Sequence, residues 1–94
     1  MSHQNLEQHK PKITENILFR VETGRAVLFD VVEGEPFLLN ESATDVWKCC
    51  NGEWTMEQIV NKVSELYEAE SGEIRKDIIQ FVDLLVKKEF LVLT

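Results

Sequence analysis

The sequence has few of the residues that build catalytic or metal sites. Its 94 residues include only two histidines, two cysteines and four glycines. His3 and His9 lie in a polar segment without periodicity, so we interpret them as solvated residues rather than zinc ligands. The glycines at 24, 34, 52 and 72 are isolated, which excludes a glycine-rich phosphate loop. We therefore expect no catalytic residues, no metal site, no cofactor and no enzymatic activity by this chain alone.

The two cysteines, Cys49 and Cys50, are adjacent. Adjacent cysteines rarely bridge each other, and two cannot build a disulfide framework, so a reducing compartment is indicated. We expect Cys50 to lie on the apolar face of a helix and Cys49 to be exposed. The sequence also lacks an apolar run near the ~18 residues of a membrane span and a signal-peptide start. These features predict a cytoplasmic protein without a membrane partner.

Basic residues are in the minority. Seventeen acidic and ten basic side chains give a net charge of −7. Nonspecific binding to nucleic acids is driven by lysine and arginine that neutralise phosphates, so this balance opposes it. We therefore expect no nucleic-acid partner.

The pattern of apolar residues divides the chain into a tail and one small domain. Residues 1–12 are polar and aperiodic and are predicted to form a disordered N-terminal tail, whereas residues 13–94 form the folded domain. Ile17, Phe19 and Val21 alternate with Leu18, Arg20 and Glu22, the two-residue period of a strand. A second apolar run covers 26–32, and a third covers 36–39. Short turns at 23–25 and 33–35 join them, which predicts an antiparallel meander.

Three helices and a short apolar run follow. Asn40 or Ser42 is expected to cap the first helix, and Ser42 would form a capping box with Asp45. Asn51-Gly52 should end this helix. Thr55, with Gln58 as its capping partner, should open the second helix, and residues 71–73 the third. We interpret residues 90–93 as a short strand that packs on the sheet. The fold class is α+β: a winged-helix-like domain with a three-stranded antiparallel sheet followed by a three-helix bundle.

Two features suggest a binding surface. The third strand is a short apolar edge of the sheet, and an exposed edge can accept a peptide as an added strand. The third helix is apolar over more than one side, so one of its flanks could form a groove wall with an arginine that anchors an acidic group. Alternatively, the terminal run or another subunit covers the edge, and the wide apolar surface only packs inside the domain. The candidate peptide-binding residues are Pro36, Phe37, Leu38, Leu39, Arg75, Ile79, Val82 and Val86.

The order and spacing of several motifs resemble the coenzyme PQQ synthesis protein D (PqqD) family. They are Leu-Asn-Glu-Ser-Ala at 39–43 followed by Trp47, Gly52 with Thr55, Glu57 and Ile59, and Asp77 with Phe81 and Leu84-Leu85. The resemblance covers about residues 15–93. It implies a non-catalytic recognition element for ribosomally made, post-translationally modified peptides (RiPPs). Such a protein binds the leader region of a precursor peptide beside the third strand and against the third helix. It then presents the peptide to a modifying enzyme, often a radical S-adenosylmethionine (radical SAM) enzyme.

Two other functions fit the same elements. Three helices with a small sheet also describe winged-helix nucleic-acid-binding regulators, although these need a helix with basic residues on one exposed side. A self-pairing structural subunit would use the same edge strand to bind a second copy. We expect a monomer or weak dimer.

Overall fold

The computed structural model describes residues 8–32, 34–68 and 71–94. Five strands and three helices follow one another in these residues: β1 Pro11–Ile13, β2 Ile17–Glu22, β3 Arg25–Asp30, β4 Pro36–Leu38, α1 Glu41–Lys48, α2 Met56–Tyr67, α3 Ser71–Lys87 and β5 Leu91–Leu93. The α+β class, the antiparallel sheet and the three helices expected from the sequence are confirmed. No described helix has the length and apolar character needed to cross a membrane.

The main sheet is an antiparallel meander in the order β2-β3-β4. Thr23 and Gly24 form the two-residue turn between β2 and β3, with φ angles of 51° and 79°. Two consecutive positive φ values are typical of the hairpin turn whose twist matches that of the strands. The pairing aligns Ile17 with Asp30 and Val27 with Leu38. The meander predicted from the turn residues is therefore present.

Local capping residues set the starts of the first two helices. Asn40 caps α1 by accepting a hydrogen bond from the backbone N–H of Ala43 at 2.8 Å. The expected capping box of Ser42 and Asp45 is wrong, because Asn40 occupies the cap position and the Ser42 hydroxyl donates to the Asn40 side chain. Thr55 and Gln58 form the capping box of α2 that the sequence predicts.

The first helix is shorter than expected. It ends at Lys48, and Cys49 is its C-cap, so Asn51-Gly52 lies outside it. Gly52 has a φ of 82°, and its backbone N–H donates to the carbonyl of Pro11 at 2.9 Å. The glycine therefore makes the turn that brings the segment after α1 against β1.

A second, two-stranded sheet joins the two ends of the described chain. β1 pairs antiparallel with β5, and Pro11 lies opposite Leu93. The interpretation that residues 90–93 pack on the main sheet is therefore wrong, since their strand belongs to this separate sheet. Lys10 and Thr94 also exchange two backbone hydrogen bonds, of 2.9 and 3.1 Å. Residues 10–12, which the sequence assigned to the tail, are thus hydrogen-bonded to the domain, whereas residues 1–7 lie outside the described residues.

The core lies between the inner face of the main sheet and the helices. Leu28 of β3, Trp47 of α1, Ile59 of α2 and Leu85 of α3 are fully buried. Phe19 of β2 packs edge-on against Trp47, with 5.5 Å between the ring centroids. The inner face is therefore covered by α1, and the opposite face of the sheet carries exposed residues such as Leu18 and Leu38.

Candidate functional site

Among the described residues, no strand pairs with the outer edge of β4. The N–H of Leu39 donates to the carbonyl of Ala26, the residue directly opposite it across the β3–β4 pairing. In an antiparallel ladder, hydrogen-bonded pairs alternate with pairs whose backbone groups point away from each other. The next pair, Val27 with Leu38, is of the second kind. The N–H and C=O of Leu38 therefore point away from β3, and the Leu38 side chain is 70% exposed.

One face of α3 lies on the β4 side of the domain. The ammonium of Lys88, directly after α3, lies 5.2 Å from the centroid of the Phe37 ring in β4. Phe37 also packs edge-on against Phe90 at 5.9 Å. At 100° per residue, the α3 residues that lie within about 40° of the direction of Lys88 share its face. We call them the β4-facing side of α3: Ile74, Asp77, Phe81, Leu84 and Lys88.

An apolar cleft of about 290 Å³ lies at the start of this face. Its lining comes from the start of α1, the end of α2 and the first half of α3. Apolar side chains form most of its walls, and polar groups of Asn40, Ser42, Tyr67 and Asp77 lie around them. The cleft begins one residue after Leu39, so it continues the line of the β4 edge. Its apolar lining residues are Ala43, Val46, Val63, Ile74, Ile78 and Phe81.

A hydrogen bond between α2 and α1 borders the cleft. The phenol of Tyr67 donates to the carboxylate of Asp45. This hydrogen bond is the main reason why the pKa of Tyr67 is raised to about 12, since the bond requires the protonated phenol. Tyr67 thus holds the end of α2 against α1 where the cleft opens.

A second cleft, of about 310 Å³, lies at the other end of the β4 edge. It is lined by residues 35–37 at the start of β4 and by residues 87–90 after α3, together with Asp30. Lys87 and Lys88 are the cationic residues of this lining, and Asp30, Glu35 and Glu89 are the acidic ones. The β4 edge and the β4-facing side of α3 thus lie between an apolar cleft and a charged one. We call this trough the groove.

The candidate residues of the third strand lie where the sequence placed them. Pro36 and Leu38 are exposed and point to the outer face of the sheet, whereas Phe37 is half-buried and points inward. Leu39 is 2% exposed and belongs to the core. The strand ends one residue earlier than predicted. The inward-pointing side chains of Phe37 and Leu39 connect this edge to the core.

The candidate residues of α3 lie on its other flank. Ile79, Val82 and Val86 line a void of about 20 Å³ together with Met56 of α2 and Leu93 of β5. In helical projection this flank points away from the direction of Lys88, and Val82 is 3% exposed. The structure therefore does not bring these three residues beside β4.

Arg75 also lies on the α2 side of the helix. Its guanidinium is 3.4 Å from the carboxylate of Glu57 in α2. Lys87 of α3 likewise pairs with Asp83, at 3.2 Å. These pairs place acidic groups beside basic ones, which does not favour the strip of free cations that a nucleic-acid-binding helix needs.

Sequence reasoning missed the β4-facing side of α3. The candidate residues that the sequence predicted on this helix lie on the other flank, and they do not include Ile74 and Phe81. Both are half-buried and line the apolar cleft. The signal available in the sequence was Leu84, a large apolar residue on the side of the helix opposite Ile79 and Val86. In the structure its side chain is 44% exposed, which marks this face as uncovered.

The cysteines do not form a reactive site. Cys50 is fully buried as expected, but Cys49 is half-buried rather than exposed. Burial, followed by the neighbouring Cys49, raises the pKa of the Cys50 thiol to about 12. Burial, followed by Asp45, also raises the pKa of Cys49, against a smaller opposing effect of Lys62. Across residues 8–32, 34–68 and 71–94, no cluster of three or more histidine, cysteine or acidic side chains could hold a metal ion.

Comparison with known proteins agrees with this architecture. The family model described as coenzyme PQQ synthesis protein D (PqqD) matches residues 25–91. The solved structure of TbiB1 in complex with the TbiA(beta) leader peptide aligns with a TM-score of 0.78 and 22% identity, covering 85% of this chain and 93% of that one. A lasso peptide synthetase B1 complexed with the leader peptide aligns with a TM-score of 0.78 and 19% identity, covering 88% and 98%. No curated protein matches the sequence.

Proposed function

The chain belongs to the coenzyme PQQ synthesis protein D family, and from this premise we propose that it is a non-catalytic peptide-binding protein. It captures the leader region of a ribosomally made precursor peptide by strand addition on β4 and presents the peptide to a modifying enzyme. The two structural relatives named above are complexes with leader peptides, which supports this assignment. The observation that carries it is the unpaired edge of β4 beside the uncovered side of α3.

Leu38 sets the position of the added strand. A guest residue opposite Leu38 can exchange two backbone hydrogen bonds with it, because both the N–H and the C=O of Leu38 point outward. Pro36 offers a carbonyl but no N–H. The protein edge within β4 therefore supplies one donor, from Leu38, and two acceptors. A short edge of this kind gives modest affinity, so side-chain contacts in the groove must supply the rest.

The pleat of the sheet decides which guest side chains enter the groove. Residues directly opposite each other point to the same face. The guest residue opposite Leu38 therefore points to the outer face, as Leu38 does. The guest residues opposite Phe37 and Leu39 point towards α3. Two guest side chains, separated by one residue, thus contact the domain, one near Phe37 and Lys88 and the other near the apolar cleft.

The apolar cleft favours a large apolar side chain at the second of these positions. Its walls are mostly apolar, and Asp77 is the charged side chain in its lining. An acidic guest side chain would be repelled there, and a charge that enters deeper among Ala43, Ile74 and Phe81 would be buried without a partner, which is costly. Removal of one such side chain from water contributes about 1.5–3 kcal/mol to binding. The cleft therefore selects a leader with an apolar residue at this position.

The partner enzyme completes the proposed role. We expect a radical SAM enzyme as the recipient and the cytoplasm as the location. The net charge of −7 favours a recipient with a basic docking face, since complementary charges speed association. The association rate should then fall as salt concentration rises, and a rate that is insensitive to salt would contradict this part of the proposal.

Titration of the labelled protein with a synthetic leader peptide from the precursor encoded beside its gene tests the peptide-binding role. Backbone amide shifts followed by NMR should concentrate at 37–40 and at Ile74, Phe81 and Leu84. Ile79 and Val86, on the other flank of α3, serve as internal controls and should not shift. Shifts confined to the Ile79–Val86 flank would contradict the groove, and a lack of shifts at saturating peptide would contradict the proposed partner.

A further inference from the structure

The main sheet has a second unpaired edge, on β2. Among the described residues, β2 pairs only with β3. The alternation that points Leu38 outward continues across the sheet, so Leu18, Arg20 and Glu22 direct their backbone groups to β3. The hydrogen bond from the Val31 N–H to the carbonyl of Asn16 fits this alternation, because Asn16 lies two residues before Leu18. The N–H and C=O groups of Phe19 and Val21 therefore face away from the sheet.

This edge is longer than the β4 edge, and four of its six residues are apolar. β2 has six residues against three in β4, and it contains no proline and no lysine. Phe19 and Val21 are 44% and 39% exposed although they point to the inner face of the sheet. Proteins normally block such edges with proline, lysine or a bulge, because an open edge pairs with another chain. β2 is thus open to pairing.

We propose that β2 pairs with β2 of a second copy of this chain, in antiparallel fashion, around a two-fold axis at Val21. This surface is distinct from the peptide groove and does not depend on it. With this axis, residues 20–22 of the two β2 strands face each other. The two three-stranded sheets would thereby join at this short overlap into one six-stranded sheet. Both β4 edges would then lie at the far ends of that sheet, so each copy would keep its groove accessible.

The charges on β2 select the register. Arg20 and Glu22 point to the outer face and form an ion pair of 2.9 Å within the strand. An axis at Arg20 would place the two Arg20 side chains opposite each other, which is unfavourable. An axis at Phe19 would place Arg20 opposite Leu18. The axis at Val21 places Arg20 opposite Glu22 of the second copy, twice, and opposite charges at facing positions are favourable.

The dimer should be weak. Edge-to-edge pairing of one short strand buries less than the roughly 1,000 Å² that marks a stable interface. Both copies also carry a net charge of −7, so they repel each other at low salt. We therefore expect an association that appears only at high protein concentration, in the range of about 10 μM to 1 mM.

Sedimentation velocity over this concentration range tests the proposal. The wild-type protein should shift towards twice the monomer mass as concentration rises. Arg20→Glu and Glu22→Arg should each weaken the dimer about tenfold, because each places like charges opposite each other at two positions. The double variant Arg20→Glu/Glu22→Arg restores the opposite pairs and should restore the dimer. A wild-type protein that stays monomeric, or a double variant that does not recover, would overturn the proposal.

Proline substitutions distinguish the two edges of the sheet. Val21→Pro removes the backbone N–H at the axis, so it should abolish dimerisation. The fold should survive, since proline is tolerated on an edge strand where the missing N–H faced solvent. Leu38→Pro alters the β4 edge instead and should leave the dimer unchanged. If Leu38→Pro abolishes the dimer and Val21→Pro does not, the second copy binds β4 and the β2 assignment is wrong. Circular dichroism on each variant verifies folding, and the charge-swap series applies if either proline variant unfolds.

Discussion

The backbone N–H of Ala26 in β3 donates a hydrogen bond to the hydroxyl of Thr44 in α1, at 2.8 Å. The same hydroxyl donates to the carbonyl of Asn40 at 2.7 Å, and Thr44 is fully buried. The ladder between β3 and β4 ends here, where Leu39 turns into the helix. Thr44 thus takes over as the partner of β3 and joins the sheet to the start of α1.

Thr44→Val should destabilise the fold by about 2 kcal/mol. Valine has nearly the same shape but cannot accept the Ala26 hydrogen bond, which leaves a buried N–H unpaired. Thr44→Ser keeps both hydrogen bonds and loses one buried methyl group, so it should cost only about 1 kcal/mol. Urea unfolding of the three proteins gives the comparison. Equal losses for valine and serine would show that the hydroxyl contributes little.

Leu38→Pro should affect mainly leader binding, whereas Leu39→Pro should affect mainly the stability of the fold. Leu38→Pro removes the N–H that faces the guest, so it should weaken leader binding at least about tenfold with little change in stability. Leu39→Pro removes the N–H that donates to Ala26 and replaces a buried side chain, so it should destabilise the fold by about 3 kcal/mol or more. Calorimetric titration and thermal unfolding measure the two quantities. Normal leader binding by a folded Leu38→Pro variant would contradict strand addition on β4.

Leu84→Asp should weaken leader binding about tenfold, because it places a charge on the uncovered side of α3 against an apolar guest. Leu66→Asp is the matched control, since Leu66 of α2 is 55% exposed and lies outside the apolar cleft. Both changes should alter the free energy of unfolding by less than about 1 kcal/mol, as expected for exposed positions. Fluorescence polarisation with a labelled leader compares them. Equal loss of affinity in both variants would indicate a general charge effect instead of a groove contact.

The phenol of Tyr67 should titrate near pH 12. Its pKa is raised by the hydrogen bond to Asp45, so the stabilising contribution of this bond is complete below pH 10 and is lost as the pH rises through about 12. Asp45→Asn removes the charge and should return the pKa towards 10. The chain has a single tyrosine, so ultraviolet absorbance of the phenolate reports this group directly. Identical titrations of the two proteins would show that the bond does not form in solution.

The thiols of Cys49 and Cys50 should react slowly with Ellman's reagent in the native protein at pH 8. The thiolate is the reactive form, and both pKa values are raised. Cys50 should react about tenfold or more slowly than in denatured protein, and Cys49 should show a smaller protection. The Cys49→Ser variant separates the two signals. A rapid native reaction of Cys50 would mean that its core packing opens easily.

Features set by neighbouring residues were predictable from the sequence. The capping box of Thr55 and Gln58 involves side chains three positions apart, and the two-residue turn at Thr23-Gly24 needs only its own backbone. The third strand of the meander, predicted at 36–39 and observed at 36–38, was also predictable, because a short apolar run between turn residues defines a strand without reference to distant residues. The β4 side of the candidate site could therefore be predicted from local sequence patterns.

The α3 side of the candidate site could not be predicted in this way. Helical periodicity shows that Ile79, Val82 and Val86 share a flank, but it does not show which neighbour covers that flank. Here Met56 and Leu93 cover it, and Leu93 is placed by its pairing with Pro11, more than eighty positions away in sequence. Long-range pairing of two three-residue strands leaves no local signal in the sequence. Only the structure therefore shows which flank of α3 stays uncovered.

The pairing of Lys10 with Thr94 gives the domain a single point of attachment. Polypeptide that enters at residue 10 and leaves at residue 94 does so side by side, near β5 and the Ile79–Val86 flank of α3. This point lies on the opposite flank of α3 from the groove. The unit from residue 10 to residue 94 could therefore be inserted into a surface loop of another protein with its guest-binding side directed outward.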